Sequence, residues 1–331
     1  MKKVGLGIIG AGWIADWYYK AYQKLSSGIT LVGAVGNPTP AGKERLAKKC
    51  ALWNCKAYDS LEALLADPAI EAVAIFTPTN LHYEQARSAL LAGKHVLVEK
   101  PVTLSVSEDH ELNKLAKERN LVLFPGHNFV YRPVVRKAKE VVESGVLGTI
   151  SYASFRACHF IPEDHATGWR KHFVSSGGGA MMDSGTHLVY QSLYLLGVPT
   201  SLNCFLSKQH YLGMDREDTC LITLQYPDGC VGSIFQSWSA NDPQAGEIRI
   251  QGDKGVLTIT DALYVNGEKL EEDSSYESSF FHTLSTFREA IAGESKPLSD
   301  SESAATTLLL IQEAYRSARE QKVVAFNPSV Y

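Results

Sequence analysis

Residues 4–15 read V-G-L-G-I-I-G-A-G-W-I-A, an apolar strand that runs directly into a glycine-rich turn and the start of a helix. Gly10 permits the tight turn, Gly12 lets the backbone approach a diphosphate, and Ala15 keeps the helix close to the strand. The anion then lies at a helix N-terminus, where unpaired N–H groups and the helix dipole favour negative charge. Because the strand and the helix are both present, the stretch predicts a dinucleotide-binding unit rather than a glycine-rich turn without a ligand.

Strands and helices go on alternating through the first third of the chain. Strands rich in Val, Ile and Leu are predicted at 30–35, 72–76, 95–98 and 121–124, with helices at 41–50, 60–65, 81–92 and 105–119. This alternation predicts an α/β domain with a doubly wound parallel sheet of the Rossmann type. In such sheets ligands bind beyond the carboxyl ends of the strands, where this chain carries T-P-T-N at 77–80 and E-K-P at 99–101.

A different architecture is predicted after residue 125. Helices at 134–144 and 179–196 flank a strand at 149–158, and short strands follow, with hairpin turns at P-D-G (227–229) and N-G (266–267). This order predicts an α+β domain with an open, mainly antiparallel sheet. We therefore expect a dinucleotide-binding domain at 1–125 and a substrate-binding domain at 126–331.

Composition excludes several classes of protein. The net charge of −4 over 331 residues gives no electrostatic case for binding nucleic acid or an anionic membrane. No apolar run approaches the roughly 20 residues that span a bilayer. The six cysteines form no C-x-x-C pair, so neither a disulfide framework nor a zinc site is indicated. We expect a cytoplasmic protein without a bound metal.

Lys100 is the first residue with a predicted chemical role. It follows the strand at 95–98, so its ammonium is expected to face the cofactor crevice, where it could bind a substrate hydroxyl and stabilise an alkoxide. The alternative is a solvated surface lysine, and the position at a strand end disfavours that alternative.

Asp183 and His187 form a second candidate pair in G-G-G-A-M-M-D-S-G-T-H at 177–187. Four residues apart on a helix, they would share one face. His187 has the intrinsic pKa to take a proton from an alcohol, and Asp183 could orient or modulate it. A purely structural pair remains open, whereas two ligands without a third do not make a zinc centre.

These motifs in order, with G-H-N at 126–128 and W-R at 169–170, resemble the Gfo/Idh/MocA oxidoreductases, which include glucose–fructose oxidoreductase and inositol dehydrogenase. The resemblance runs almost end to end. It implies NAD(P)-dependent oxidation of a ring carbinol in a sugar, a cyclitol or a derivative. It also implies a homo-oligomer, a dimer or a tetramer, whose subunits meet through the sheet of the second domain.

The resemblance also implies roles for individual residues. Lys100 matches the catalytic lysine of the family, His187 its acid/base and Asp183 the partner acid. The expected cofactor-binding residues are Gly10, Gly12, Trp13, Ile14, Asn37, Thr77, Pro78, Asn80, His82, Glu99, Lys100 and Asn128.

The second strand departs from the pattern expected of an NAD site. Such a site usually carries an acid at the end of this strand to hold the adenosine ribose. Here the strand ends in Gly36-Asn37-Pro38, and the nearest basic residues are Lys43 and Arg45. The absence of an acid keeps NADP possible and favours it slightly.

Aromatic and guanidinium side chains suit a sugar-like substrate. The expected substrate-binding residues are Tyr131, Arg156, His159, Trp169 and Arg170, and Arg132 and His165 lie in the same segments. Two other functions remain open: an NAD-dependent glycosidase that acts by transient oxidation and elimination, and a non-catalytic cofactor-binding sensor. The joint presence of Lys100, Asp183 and His187 disfavours the sensor.

Overall fold

The computed structural model describes residues 3–25, 28–162, 168–242 and 246–328. Its chain divides into two compact units: the first comprises Met1–Asn128 and Tyr276–Glu302, and the second comprises Phe129–Ser275 and Ser303–Tyr331. The first unit therefore takes in a later segment of the chain that a single division after residue 125 assigns to the other domain.

The first unit contains a six-stranded parallel sheet in the order β3-β2-β1-β4-β5-β6. Its strands are β1 (Val4–Ile9), β2 (Ile29–Val35), β3 (Lys56–Ala57), β4 (Ala72–Ile75), β5 (His95–Glu99) and β6 (Leu123–Gly126). Its helices are α1 (Trp13–Lys24), α2 (Pro40–Trp53), α3 (Leu61–Leu65), α4 (His82–Leu91) and α5 (Val106–Glu118), with α9 (Tyr276–Ile291) from later in the chain. The order reverses between β1 and β4, which makes this the switch point of a doubly wound sheet.

The strands at the centre of this sheet are almost fully buried. Every residue of β4 is buried, as are most of β1 and β5, which is the pattern of a parallel sheet covered on both faces. The predicted α/β fold with a Rossmann sheet is confirmed.

The second unit contains a nine-stranded sheet in the order β14-β13-β12-β11-β7-β10-β9-β8-β15, antiparallel except between β7 and β10. Its strands are β7 (Ile150–Cys158), β8 (Ser201–Ser207), β9 (Thr219–Gln225), β10 (Val231–Ser237), β11 (Gly246–Gly252), β12 (Val256–Ile259), β13 (Leu263–Val265), β14 (Glu268–Glu271) and β15 (Val324–Ala325). Its helices are α6 (Pro133–Glu143), α7 (Phe173–Ser176) and α8 (Thr186–Leu196), with most of α10 (Ser301–Glu320). The predicted open, mainly antiparallel sheet is confirmed.

Two local predictions have different outcomes. The hairpin at Asn266-Gly267 forms between β13 and β14, with both residues at positive φ. The helix predicted from residue 179 is wrong in its first turn, because Met181–Gly185 is π-helical and the α-helix begins at Thr186. Such π-helical turns are rare and occur frequently at functional sites.

Two kinds of feature are absent from the described residues. None of the helices is both long enough and apolar enough to cross a lipid bilayer. Within the same ranges, His, Cys, Asp and Glu side chains form no group of three or more that could hold a metal ion.

Candidate active site

The glycine-rich turn between β1 and α1 has the geometry of a diphosphate cradle. Gly10 has a φ of +97°, and a Cβ there would lie 2.8 Å from the carbonyl carbon of Phe76, so only glycine fits. A Cβ at Gly12 would meet only the Phe76 oxygen, at 4.0 Å. Packing within the protein therefore gives no reason for a glycine at position 12, whereas a closely approaching ligand does.

The helix that follows this turn fits the same ligand. Gly12 is the N-cap of α1 and has no side chain to cap the first turn, so the N–H groups there are left to an anion or to water. Ala15 is fully buried, which brings the helix close to the sheet. Trp13, the first helical residue, is 63% exposed, and its ring stacks on Tyr276 with centroids 6.3 Å apart. Ile14 lies beside it, half-buried.

The end of β2 offers amide and hydroxyl groups but no carboxylate. Asn37 is exposed, and its Oδ1 accepts a hydrogen bond from the Thr39 backbone N–H at 3.1 Å. The Thr39 hydroxyl in turn accepts from the N–H of Gly42 and caps α2. Lys43 and Arg45 are exposed on the first two turns of this helix.

One buried ring connects the loops that follow β4 and β5. His82 is 1% exposed, with Nε2 lying 2.8 Å from the carbonyl oxygen of Thr77 and Nδ1 lying 2.9 Å from that of Pro101. The Thr77 hydroxyl donates to Gln85 at 2.5 Å. The structure thus brings together Thr77, His82 and the segment that carries Lys100. Pro78 and Asn80 lie on the first loop, half-buried and exposed respectively.

Lys100 follows β5 directly, and its peptide bond to Pro101 is cis. Its backbone N–H donates to the carboxylate of Glu99 at 3.2 Å. Burial, and next the positive charge of Lys100, lower the pKa of His127 to about 3. His127 is therefore neutral at physiological pH.

Asn128 follows His127 in the chain, and its side-chain amide binds another residue of the first unit. Its Nδ2 donates to the Ser279 hydroxyl at 2.8 Å, and its side chain is buried. His127 Nδ1 lies 2.7 Å from the Ser299 hydroxyl. Both contacts join the end of β6 to the later segment of the same unit.

In the second unit, a buried carboxyl group binds the first residue of the π-helical turn. Glu217 Oε1 accepts from the N–H of Met181 at 3.0 Å and from the hydroxyl of Tyr315 at 2.9 Å. A Cβ at Gly179 would lie 2.0 Å from the Glu217 carbonyl oxygen. A glycine at position 179 therefore allows the backbone of Glu217 to approach closely. Burial raises the pKa of Glu217.

Asp183 lies in the π-helical turn and forms an ion pair with Arg170, with Oδ2 and Nε 3.2 Å apart. The Arg170 guanidinium also lies over the Trp169 ring, 4.5 Å from its centroid. Burial lowers the pKa of His159, and the Asp183 charge opposes that shift. The structure thus brings together Asp183, His159, Trp169 and Arg170.

His187 contacts a phenol and an aromatic ring. Its Nδ1 lies 2.6 Å from the hydroxyl of Tyr190, and its ring stacks on Phe129 with centroids 4.2 Å apart. The Arg132 guanidinium lies against the Phe129 ring, 3.6 Å from its centroid. The imidazole is therefore positioned by a phenol and by an aromatic face.

Three other residues were expected in or near the substrate site. Tyr131 is buried. Arg156 forms an ion pair with Asp242. His165 lies outside the described residues.

A parallel sheet in this strand order, with a diphosphate cradle at its switch point, defines a dinucleotide-binding protein of the Rossmann type. The sequence model described as "Oxidoreductase family, NAD-binding Rossmann fold" matches residues 4–127, and that of the "GFO/IDH/MocA C-terminal domain" matches residues 135–258. The chain belongs to the Gfo/Idh/MocA family of oxidoreductases.

Named relatives show the range of this family. The chain is 31% identical to mouse trans-1,2-dihydrobenzene-1,2-diol dehydrogenase over 80% of its own length and 78% of the relative. It is 30% identical to the scyllo-inositol 2-dehydrogenase (NADP(+)) of Bacillus subtilis over 69% of its own length and 64% of the relative. The chain spans only 61% and 62% of the length of two uncharacterized oxidoreductases, from Schizosaccharomyces pombe and Synechocystis, which are 34% and 32% identical to it.

Among solved structures, a levoglucosan dehydrogenase in complex with NADH and L-sorbose superposes with a TM-score of 0.90, over 99% of this chain and 100% of that one. The sequences are 22% identical, so this likeness establishes the fold.

Sequence reasoning missed Tyr190, Phe129 and Glu217. Tyr190 follows His187 by three residues, a helical spacing that places both on one face, and this signal was available in the sequence. Glu217 lies before a predicted strand, 38 residues from Gly179. No local spacing links such distant positions.

Proposed function

We propose that the protein is an NAD(P)-dependent dehydrogenase that moves a hydride between a ring carbinol of a sugar, a cyclitol or a derivative and the nicotinamide. Family membership supports the reaction class. Two relatives are named as dehydrogenases of scyllo-inositol and of a dihydrobenzene diol, ring compounds that carry hydroxyl groups. These names support a ring carbinol as the reacting group.

The position of Lys100 carries the proposal. It follows β5 at the carboxyl edge of the sheet, the edge that also carries the turn at Gly12, and its neighbour His127 is neutral. A lysine there can hydrogen-bond a substrate hydroxyl and stabilise the negative charge that develops on its oxygen. Bound nicotinamide would supply the hydride acceptor, or the donor in the reverse direction.

His187 supplies the acid/base step in this proposal. In oxidation it takes the hydroxyl proton at a ring nitrogen, and in reduction it returns that proton to the oxygen. Asp183, paired with Arg170, is the accompanying acid and holds a guanidinium that suits hydroxyl oxygens.

The adenosine end favours NADP slightly. Residues 36–40 contain no carboxylate that would repel a 2′-phosphate. Lys43 and Arg45 are exposed on the helix that follows. The B. subtilis relative carries NADP(+) in its name. We propose that the protein accepts both nucleotides and prefers NADP.

We also propose a cytoplasmic homodimer or homotetramer. One face of the second sheet exposes Tyr152, Val231 and Phe205 on β7, β10 and β8. Large apolar side chains exposed on a sheet face suit a subunit interface. The six cysteines are free thiols, as in a reducing compartment.

The decisive experiment is a panel of sugars, cyclitols and glycosides, each tested with NAD and with NADP. Accumulation of reduced nucleotide identifies a dehydrogenase, whereas cleavage of a glycoside with unchanged nucleotide identifies the glycosidase. Lys100→Ala should abolish turnover and keep nucleotide binding, and Lys114→Ala, exposed on α5, is the matched control. Turnover near that of the wild type in Lys100→Ala would end the mechanism.

A further inference from the structure

We propose that Tyr190 is the positioning residue of His187 and that its phenol oxygen accepts a hydrogen bond from the Nδ1–H of the imidazole. The inference rests on the proposed function, in which His187 exchanges a proton with the substrate. It assigns that exchange to the other ring nitrogen, Nε2.

The contact is close and the partner is buried. His187 Nδ1 and Tyr190 Oη are 2.6 Å apart, and Tyr190 is 2% exposed. Both residues lie on the first two turns of α8, three positions apart. The backbone amide of Phe129 donates to the same phenol oxygen at 3.0 Å. Tyr190 is therefore held from a second side and does not rely on His187 for its position.

The direction of the hydrogen bond follows from the chemistry. To accept a proton at Nε2, a neutral imidazole must carry its hydrogen at Nδ1. After the transfer the imidazolium carries hydrogens at both nitrogens, so Nδ1 is a donor in both forms. A phenol oxygen has two lone pairs, which can accept from Nδ1 and from the Phe129 amide together. One acceptor thus serves both protonation states of the catalytic cycle.

The ring plane is fixed independently of this hydrogen bond. Phe129 stacks on the imidazole at an interplanar angle of 19°, and Arg132 lies against the Phe129 ring. The side-chain amide of Gln191 donates to the His187 carbonyl at 2.7 Å. Loss of the phenol hydroxyl should therefore change the tautomer of His187 more than its location.

The size of the expected rate change follows from the neutral charge of the Tyr190 phenol. A carboxylate at Nδ1 would stabilise the imidazolium by its charge, whereas a phenol supplies a neutral hydrogen bond. Such bonds contribute about 1 kcal/mol, which corresponds to roughly a fivefold change in rate. We expect Tyr190→Phe to lower kcat about fivefold to tenfold with KM nearly unchanged.

The test combines NMR and kinetics. In ¹⁵N-histidine-labelled protein, with the His187 signals assigned from His187→Gln, neutral His187 should carry its hydrogen at Nδ1. In Tyr190→Phe the hydrogen should shift toward Nε2. Tyr194→Phe removes a hydroxyl one turn further along α8 and should leave both tautomer and kcat unchanged. Unfolding midpoints of the variants show whether each remains folded.

Two results would overturn the inference: a neutral wild-type His187 with its hydrogen at Nε2, or a Tyr190→Phe enzyme that keeps the wild-type tautomer. The wild-type spectrum decides the matter even if the variant is unstable. A protein that oxidises nothing in the substrate panel would instead refute the proposed function. The tautomer measurement needs no substrate, so it tests the role of Tyr190 separately from the dehydrogenase activity.

Discussion

The Nδ1 atom of His82 lies 2.9 Å from the carbonyl oxygen of Pro101, the residue that follows Lys100. The other ring nitrogen lies 2.8 Å from the carbonyl oxygen of Thr77. Burial lowers the pKa of His82, so the ring is neutral at physiological pH and has one N–H to share between two acceptors. The loop whose carbonyl oxygen accepts that N–H is anchored to the imidazole by the hydrogen bond.

Asparagine and glutamine can separate the two contacts. The amide nitrogen of asparagine mimics Nδ1, and that of glutamine mimics Nε2. If the bond to Pro101 positions Lys100, we expect His82→Asn to keep most of the wild-type kcat and His82→Gln to lose about fivefold to tenfold, since a neutral hydrogen bond contributes about 1 kcal/mol. Steady-state kinetics at saturating nucleotide measures the difference.

His95→Asn is the matched control. His95 accepts a hydrogen bond from the Val122 amide at the start of β5 and β6, at the opposite edge of the sheet from Lys100. Its replacement should leave kcat unchanged. If the loss of activity in both His82 variants follows the decrease in their unfolding midpoints, the role of His82 is only structural.

The local predictions succeeded where the chemistry is local in sequence. The strand–turn–helix at 4–15 and the Asn266-Gly267 hairpin depend on neighbouring residues, so backbone sterics specify them. The buried Val/Ile/Leu strands determine the parallel sheet for the same reason.

What could not be predicted depends on contacts between distant residues. α9 returns to the first unit because Phe280 packs on Trp17 and Tyr18, with ring centroids 6.0 and 4.9 Å apart. The aromatic run on α1 indicates a partner but does not say which segment supplies it. The π-helical turn at Met181–Gly185 likewise forms where the distant Glu217 binds the amide of Met181.

Gly10 and Gly12 provide a test of the nucleotide cradle. Gly10→Ala should destabilise the fold by about 1–3 kcal/mol, because alanine is strained at a φ of +97° and its Cβ would collide with Phe76. Gly12→Ala should fold as the wild type does, since its methyl group meets only one protein atom at 4.0 Å. It should nevertheless weaken nucleotide binding by about 1.4 kcal/mol or more, which is tenfold in Kd.

Thermal unfolding and fluorescence titration with NAD and NADP measure the two effects separately. A Gly12→Ala protein that binds both nucleotides as tightly as the wild type would show that the diphosphate does not approach this turn.

Asp109, in the first turn of α5, links stability to pH. It is 2% exposed, and burial raises the pKa of its carboxyl group to about 7. The folded protein therefore keeps a proton that the unfolded chain releases near its ordinary pKa of 3.8. Between these values the folded state binds more protons, so this group makes the free energy of unfolding fall as pH rises.

Asp109→Asn should remove this dependence, because asparagine cannot ionise. We expect the unfolding midpoint of the variant minus that of the wild type to increase as pH rises from 5 to 7. This difference should stay constant above about pH 8. The full change corresponds to a few kcal/mol. Glu118→Gln, exposed on the same helix, controls for the loss of one negative charge and should shift the midpoint little at any pH. A gap between Asp109→Asn and the wild type that does not change from pH 5 to pH 8 would show that Asp109 is ionised in the folded protein.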